Sequence, residues 1–174
     1  MLSAMDTNEL QRSLGAIVLE AAYMERMLRA AFSALVGSKY AAVVDGRLMA
    51  FALIEDCRHI AKAHTDLDDQ ARHRLVAALD ACEEANRKRN RVIHDAWATR
   101  PGDVMVTLQS TRSSHDVTVK ARTIGELHQL ADEISGAADH LTAAISAAFG
   151  SAALRIEDQL RLELGHDIST EFGT

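Results

Sequence analysis

The stretch Arg89-Asn90-Arg91-Val92-Ile93-His94, near the middle of the chain, carries the side chains with the most chemistry to offer. An arginine guanidinium stays charged and grips a phosphate through two parallel N–H donors. A histidine titrating near neutrality can take a proton from a ribose hydroxyl or return one. On a helix, Asn90 and His94 share a face, four residues apart, and Arg89 lies about 140° round the axis from His94, an offset that a long side chain can bridge. A general acid or base beside a fixed cation suits cleavage of a phosphodiester. Arg87, Lys88, Arg91 and Arg100 crowd the same stretch, in a chain whose formal net charge is -6. A basic cluster in an acidic body points to a confined contact with an anionic backbone such as RNA, and away from a general nucleic-acid coat.

A plainer reading competes. Lysines and arginines in the last turns of a helix are favoured by its dipole, and a histidine there can be an ordinary core residue. That reading leaves unexplained why Asn90, a poor helix former, sits inside the run, and why Arg87, Lys88 and Arg89 come in succession against their mutual repulsion. The spacing recurs at Arg58 to His64, Arg122 to His128 and Arg161 to His166. The second straddles a helix cap at Thr123, and the third runs through Gly165 in a tail. In the first, six positions separate the ends, which then point to different helix faces. No two histidines stand four positions apart, as the paired ligands of a HExxH-type metal site must, so no metal is expected from His59, His64, His73, His115, His128, His140 or His166. Glycine-rich phosphate loops and a Gly-x-Ser-x-Gly elbow are missing as well, and no cofactor is expected.

The elements that must position these residues are mostly helices. One proline, 4% aromatic and 48% hydrophobic residues in 174 describe a helical protein packed through small side chains, long enough to bury a core without staples. Asp6 and Glu9 read as a capping box for a first helix with Leu10, Leu14, Ile17, Val18, Ala21, Met24, Met27, Leu28 and Leu35 at helical spacing, stopped by Gly37 and Ser38. Asp45 reads as the cap of a second helix ending near His64, with Leu48, Phe51, Ala52, Ile54, Cys57 or Arg58 and Ile60 or Ala61 on its apolar stripe. Thr65 or Asp66, with Asp69, opens a third that carries residues 83–101 at its C-terminal end. Arg100-Pro101-Gly102 then separates it from two runs of period-two alternation, 103–109 and 115–121, read as a β-hairpin with a turn over 110–114. Thr123 and Glu126 form another capping box, opening a long helix that Gly150-Ser151 breaks, and residues 151–174 hold a last helical segment and a tail. The expected fold is therefore mostly α: an antiparallel helical bundle of four to five helices with one inserted β-hairpin at about 103–121, in a single domain spanning 1–174. Cys57 and Cys82 fall inside apolar helical patterns and read as buried, reduced thiols. With no secretory leader and no apolar run of bilayer length, a cytoplasmic location and no membrane association are expected.

Arg89-Asn90-Arg91-Val92-Ile93-His94 resembles the Arg, four to six residues, His motif of the HEPN superfamily, in which the residue after the arginine is commonly polar and often Asn. The setting is similar too: the motif lies toward the end of a long helix and is followed by Trp97 and a hairpin. The resemblance covers the motif closely and the bundle loosely. It implies a homodimer whose two motifs meet across a twofold axis and form one composite, metal-independent endoribonuclease site. Arg89, Asn90 and His94 would be catalytic, and Arg87, Lys88, Arg91 and Arg100 would hold RNA. Toxin or antiphage roles follow, with an antitoxin such as a minimal nucleotidyltransferase as a partner. So does an alternative, a silent HEPN-like dimer that binds a protein partner. Trp97 would stack a base or pack against the hairpin. Asp95, where the family pattern has a small residue, sets a negative charge beside His94.

Overall fold

The computed structural model describes residues 7–38, 41, 44, 48–94, 96–100, 104–110, 117–151 and 153. The protein is mostly helical: α1 (Thr7–Val36), α2 (Ala50–Ala63), α3 (Asp69–His94) and α4 (Ile124–Phe149), with strands β1 (Ala96–Arg100), β2 (Val104–Ser110) and β3 (Val117–Arg122) between α3 and α4. Two compact units are distinguished. One comprises residues 1–24 and 81–137, and the other comprises residues 25–80 and 138–174.

In α1, Ile17, Ala21, Met24, Leu28, Ala31 and Leu35 are buried and recur every three or four residues, the period that keeps one stripe inward. Val18 and Leu19 fall off that stripe and are 45% and 72% exposed, so the expectation that Val18 lies inward is corrected. The helix ends where expected. Gly37 takes a φ of 62°, open to a residue without a Cβ, and its N–H donates to the Ser33 carbonyl at 3.0 Å. Gly150 closes α4 in the same way, with φ 79° and a 2.9 Å bond to the Ser146 carbonyl.

In the unit of residues 25–80 and 138–174, α2 buries Leu53, Ile54, Cys57 and Ala61. Phe51, read as part of that stripe, is 59% exposed. At about 100° per residue, Phe51 lies about 100° round the axis from the middle of the face set by Leu53, Ile54, Cys57 and Ala61. The cap expected at Asp45 lies outside the described residues, as does Asp6. The residue that precedes α2 is Met49, which makes no side-chain cap bond.

The start of α3 is fixed by Asp68, whose Oδ1 accepts from the Ala71 N–H at 2.7 Å, in place of the Thr65 or Asp66 expected from the sequence. Arg72 closes the preceding turn. Its Nε donates to the Ala61 carbonyl at 3.3 Å, its Nη2 to the carbonyls of His64 at 3.0 Å and Leu67 at 2.8 Å, and its Nη1 to Asp69 at 2.6 Å. One guanidinium thus donates to carbonyls that the end of α2 and the following turn leave without helical partners.

In the unit of residues 1–24 and 81–137, the Thr123–Glu126 capping box is reciprocal. Thr123 N donates to the Glu126 carboxylate at 2.7 Å, and Glu126 N to the Thr123 hydroxyl at 3.1 Å. Leu127, Leu130, Ala131, Ile134 and Ala137 are buried behind it. Ser13 Oγ and His128 Nε2 are 3.0 Å apart, tying α1 to α4, and the Cys82 thiol donates to the Ala137 carbonyl at 3.6 Å, tying α3 to α4. Burial pushes the Cys82 thiol up to about 12, because the thiolate would lose its hydration.

Helix α3 ends at His94, and residues 96–100 are a strand where the sequence suggested the end of a helix. Backbone pairing is antiparallel in the order β1-β2-β3, with Ala98 opposite Val106 and Val106 opposite Ala121. Ala96–Arg100 carries no strong helix or strand preference of its own, and its partner, Val104–Leu108, decides the outcome. Of the turn expected over 110–114, residues 111–114 lie outside the described residues, as does the segment after 153.

Candidate functional site

The last two turns of α3 carry most of the predicted site. Asn86 is buried one turn earlier, where a polar side chain is uncommon. Arg89 and Asn90 are half-buried, and Arg89 Nη1 donates to Asn90 Oδ1 at 2.9 Å. The structure therefore brings these two together, and the asparagine holds the guanidinium. Arg89 Nε is buried without a hydrogen-bond partner. Leaving a buried donor unreceived costs on the order of 1–3 kcal/mol, and more when the group is charged. His94 follows Asn90 by four residues of continuous helix and is exposed. It has no hydrogen bond or ion pair among the described residues, to Arg89 and Asn90 or to any other.

The basic residues around this motif divide. Arg87 pairs with Glu84 one turn back. Lys88 Nζ sits 2.8 Å from Glu133 Oε2 on α4 and 3.9 Å from Glu84. Lys88, donating a hydrogen bond, holds the Glu133 carboxyl below its ordinary range. Partial burial opposes this, and the Lys88 charge and a second hydrogen bond from Gln129 add to it. Arg91 is exposed and has no ion-pair partner among the described residues. Arg100 is the last residue of β1, where the backbone alone is described. Asp95 lies outside the described residues.

A cavity of about 270 Å³ opens beside this helix end, lined by Lys88, Arg91, Val92, Arg122, Glu126, Gln129, Leu130 and Glu133. Arg122 is the residue that spacing arguments set aside. It stands at the last position of β3, immediately before the Thr123 cap, and its Nε is buried without a partner. No sequence signal links it to Arg91, since only the return of the chain through the strands brings the two to one cavity.

Of the rival Arg–His spacings, Arg58, His64 and His128 have other partners. Arg58 pairs with Glu55 and with Asp80 at 2.9 Å. His64 meets Phe149 edge-on, with ring centroids 5.9 Å apart, and its Nδ1 accepts from the Asp66 N–H at 3.3 Å. His128 is the partner of Ser13. The pair Arg161 and His166 lies outside the described residues. Among the described residues no group of three or more His, Cys, Asp or Glu could hold a metal ion, and no helix is long and apolar enough to cross a membrane. Comparison with known protein families, with curated proteins and with solved structures gives no match to this chain.

Proposed function

We propose that this chain is a metal-independent endoribonuclease of HEPN type, a toxin or antiphage effector acting in the cytoplasm as a homodimer. The architecture it requires is an antiparallel helical bundle of four to five helices with one inserted β-hairpin. The supporting observation is the Arg89–Asn90 hydrogen bond in the last turns of α3, one turn before an exposed His94. In this reading His94 takes the proton of a ribose 2′-hydroxyl, whose oxygen attacks the adjacent phosphorus. Charge developing on the phosphate oxygens is met by Arg89, which Asn90 orients. The 5′-oxygen leaves as it takes a proton back from a protonated His94 imidazole, giving a 2′,3′-cyclic phosphate and a 5′-hydroxyl. Arg91 and Arg100 draw in the RNA backbone, with Arg87 and Lys88 contributing to the field from within their ion pairs, so binding weakens as salt rises. A minimal nucleotidyltransferase would fit as antitoxin.

The test is cleavage of total RNA and tRNA in EDTA by the wild type, Arg89→Ala and His94→Ala, with light scattering on each. Metal-independent cutting that both substitutions reduce by about 10²-fold or more, with the dimer intact, supports the reading. A second reading is a silent dimer that binds a protein partner, with the exposed Val18 and Leu19 on α1 as its docking face. It predicts a folded dimer that cuts nothing, and loss of partner binding in Leu19→Lys.

A further inference from the structure

We propose that the cavity between α3, the end of β3 and the first turns of α4 binds a single phosphate monoester group, with Arg91 and Arg122 as its ligands. The argument starts from charge. Five ionisable side chains line the cavity, three cations and two carboxylates. Both carboxylates already have partners: Glu126 accepts from Thr123 within the helix cap, and Glu133 accepts from Lys88 at 2.8 Å and from Gln129 at 3.1 Å. Lys88 is consumed in the same bond. Arg91 and Arg122 therefore remain without an acidic partner among the described residues, both facing one cavity.

The second part of the argument is hydrogen bonding. Arg122 is half-buried, and its Nε is shut off from water without an acceptor. A guanidinium so placed lacks part of its hydration and gains strongly from an anion that receives its remaining N–H groups. Size narrows the ligand. About 270 Å³ lies at the small end of ligand pockets and leaves ample room for a phosphate group with part of the molecule that carries it. With Lys88 balanced by Glu133, Arg91 and Arg122 outweigh Glu126 by one positive charge, and their N–H donors are met better by the three terminal oxygens of a phosphate monoester than by the two of a carboxylate or a diester. The site does not depend on Arg89 and His94 cleaving anything. Its ligand is either free phosphate or the terminal phosphate of an oligonucleotide, which share this chemistry.

Calorimetric titration of the full chain at low ionic strength tests it, using inorganic phosphate, a 5′-phosphorylated diribonucleotide and the same diribonucleotide with a 5′-hydroxyl. The wild type should bind inorganic phosphate at one saturable site, and Arg91→Gln and Arg122→Gln should each weaken it about tenfold, while Arg74→Gln on the other unit leaves it unchanged. Arg91 is exposed, so its variant carries the test if Arg122→Gln does not fold. Tighter binding of the phosphorylated diribonucleotide than of inorganic phosphate names a nucleic-acid end as the source, and equal binding names free phosphate. Absence of saturable phosphate binding or unchanged binding in Arg91→Gln would overturn the assignment, and equal binding of the two diribonucleotides would overturn the nucleic-acid end as its source. Titration reads binding alone, so a chain that binds phosphate and cuts no RNA would sink the nuclease reading and leave this site standing.

Discussion

Near the start of α3, Arg72 directs its donors at the carbonyls of Ala61, His64 and Leu67 and the carboxylate of Asp69; near the end, Arg89 keeps one bond, to Asn90, and buries Nε with nothing to receive it. Arg122 repeats the second pattern at the end of β3. With four hydrogen bonds from its guanidinium, Arg72 is a structural tie, since it converts exposed carbonyls into closed hydrogen bonds. A half-buried guanidinium with a donor left over is a cost to the folded state, and such local violations concentrate where a protein meets a ligand. Arg26 on α1 also buries an Nε that no acceptor meets, so a spare donor marks an arginine for an anion only where, as at Arg122, it also lines a cavity.

The comparison can be broken most directly at Arg72. Replacing it with Met should lower unfolding stability by about 2 kcal/mol in urea denaturation, because charge-assisted bonds to several acceptors are lost together. A next step down, Thr123→Ala should cost about 1 kcal/mol by removing the reciprocal cap of α4, and would show that the unit holding the unsatisfied arginines is itself firmly built. Lys88→Met should cost about 0.5 kcal/mol near neutral pH, as expected for a partly exposed ion pair. Its signature is the acid limb. Glu133 titrates below its ordinary value of 4.5 when folded, so its contribution is complete above that pH and fades as pH falls through the lowered value. The Lys88 variant should therefore show a flatter stability profile in that acid window. The smallest expected effect is the sharpest: Arg89→Met should leave stability unchanged or slightly raised, because a buried donor without an acceptor disappears. A loss comparable to that of Arg72→Met would erase the distinction.

Local chemistry made part of this fold legible. Gly37 and Gly150 announce helix ends because a left-handed C-terminal residue favours the absence of a Cβ, and Thr123 with Glu126 is a self-contained hydrogen-bonding unit within four residues. Where several residues offer the same chemistry, the sequence is ambiguous. In Thr65-Asp66-Leu67-Asp68-Asp69 four side chains can cap a helix, and only the position of α3 selects Asp68. Helical spacing drew Val18 and Phe51 into stripes that the packing excludes, since a period of 3.6 tolerates a wider arc than a real interface. The strand at Ala96–Arg100 and the Lys88–Glu133 pair depend on partners distant in the chain, which no local pattern encodes. For the candidate site, Arg89 and Asn90 were legible as neighbours, whereas Arg122 became visible only through the cavity it lines.

The two cysteines have one further consequence. Cys57 belongs to one compact unit and Cys82 to the other; each is fully buried, and each thiol donates to a main-chain carbonyl, that of Leu28 and that of Ala137. Alkylation requires an accessible thiolate, so under native conditions each sulfur can react only during a transient opening of its own surroundings. The chain thus contains two internal clocks. Mass-spectrometric labelling rates at Cys57 and Cys82 read the opening free energy of each unit separately, and equal protection at both would mean that the units melt as one cooperative body.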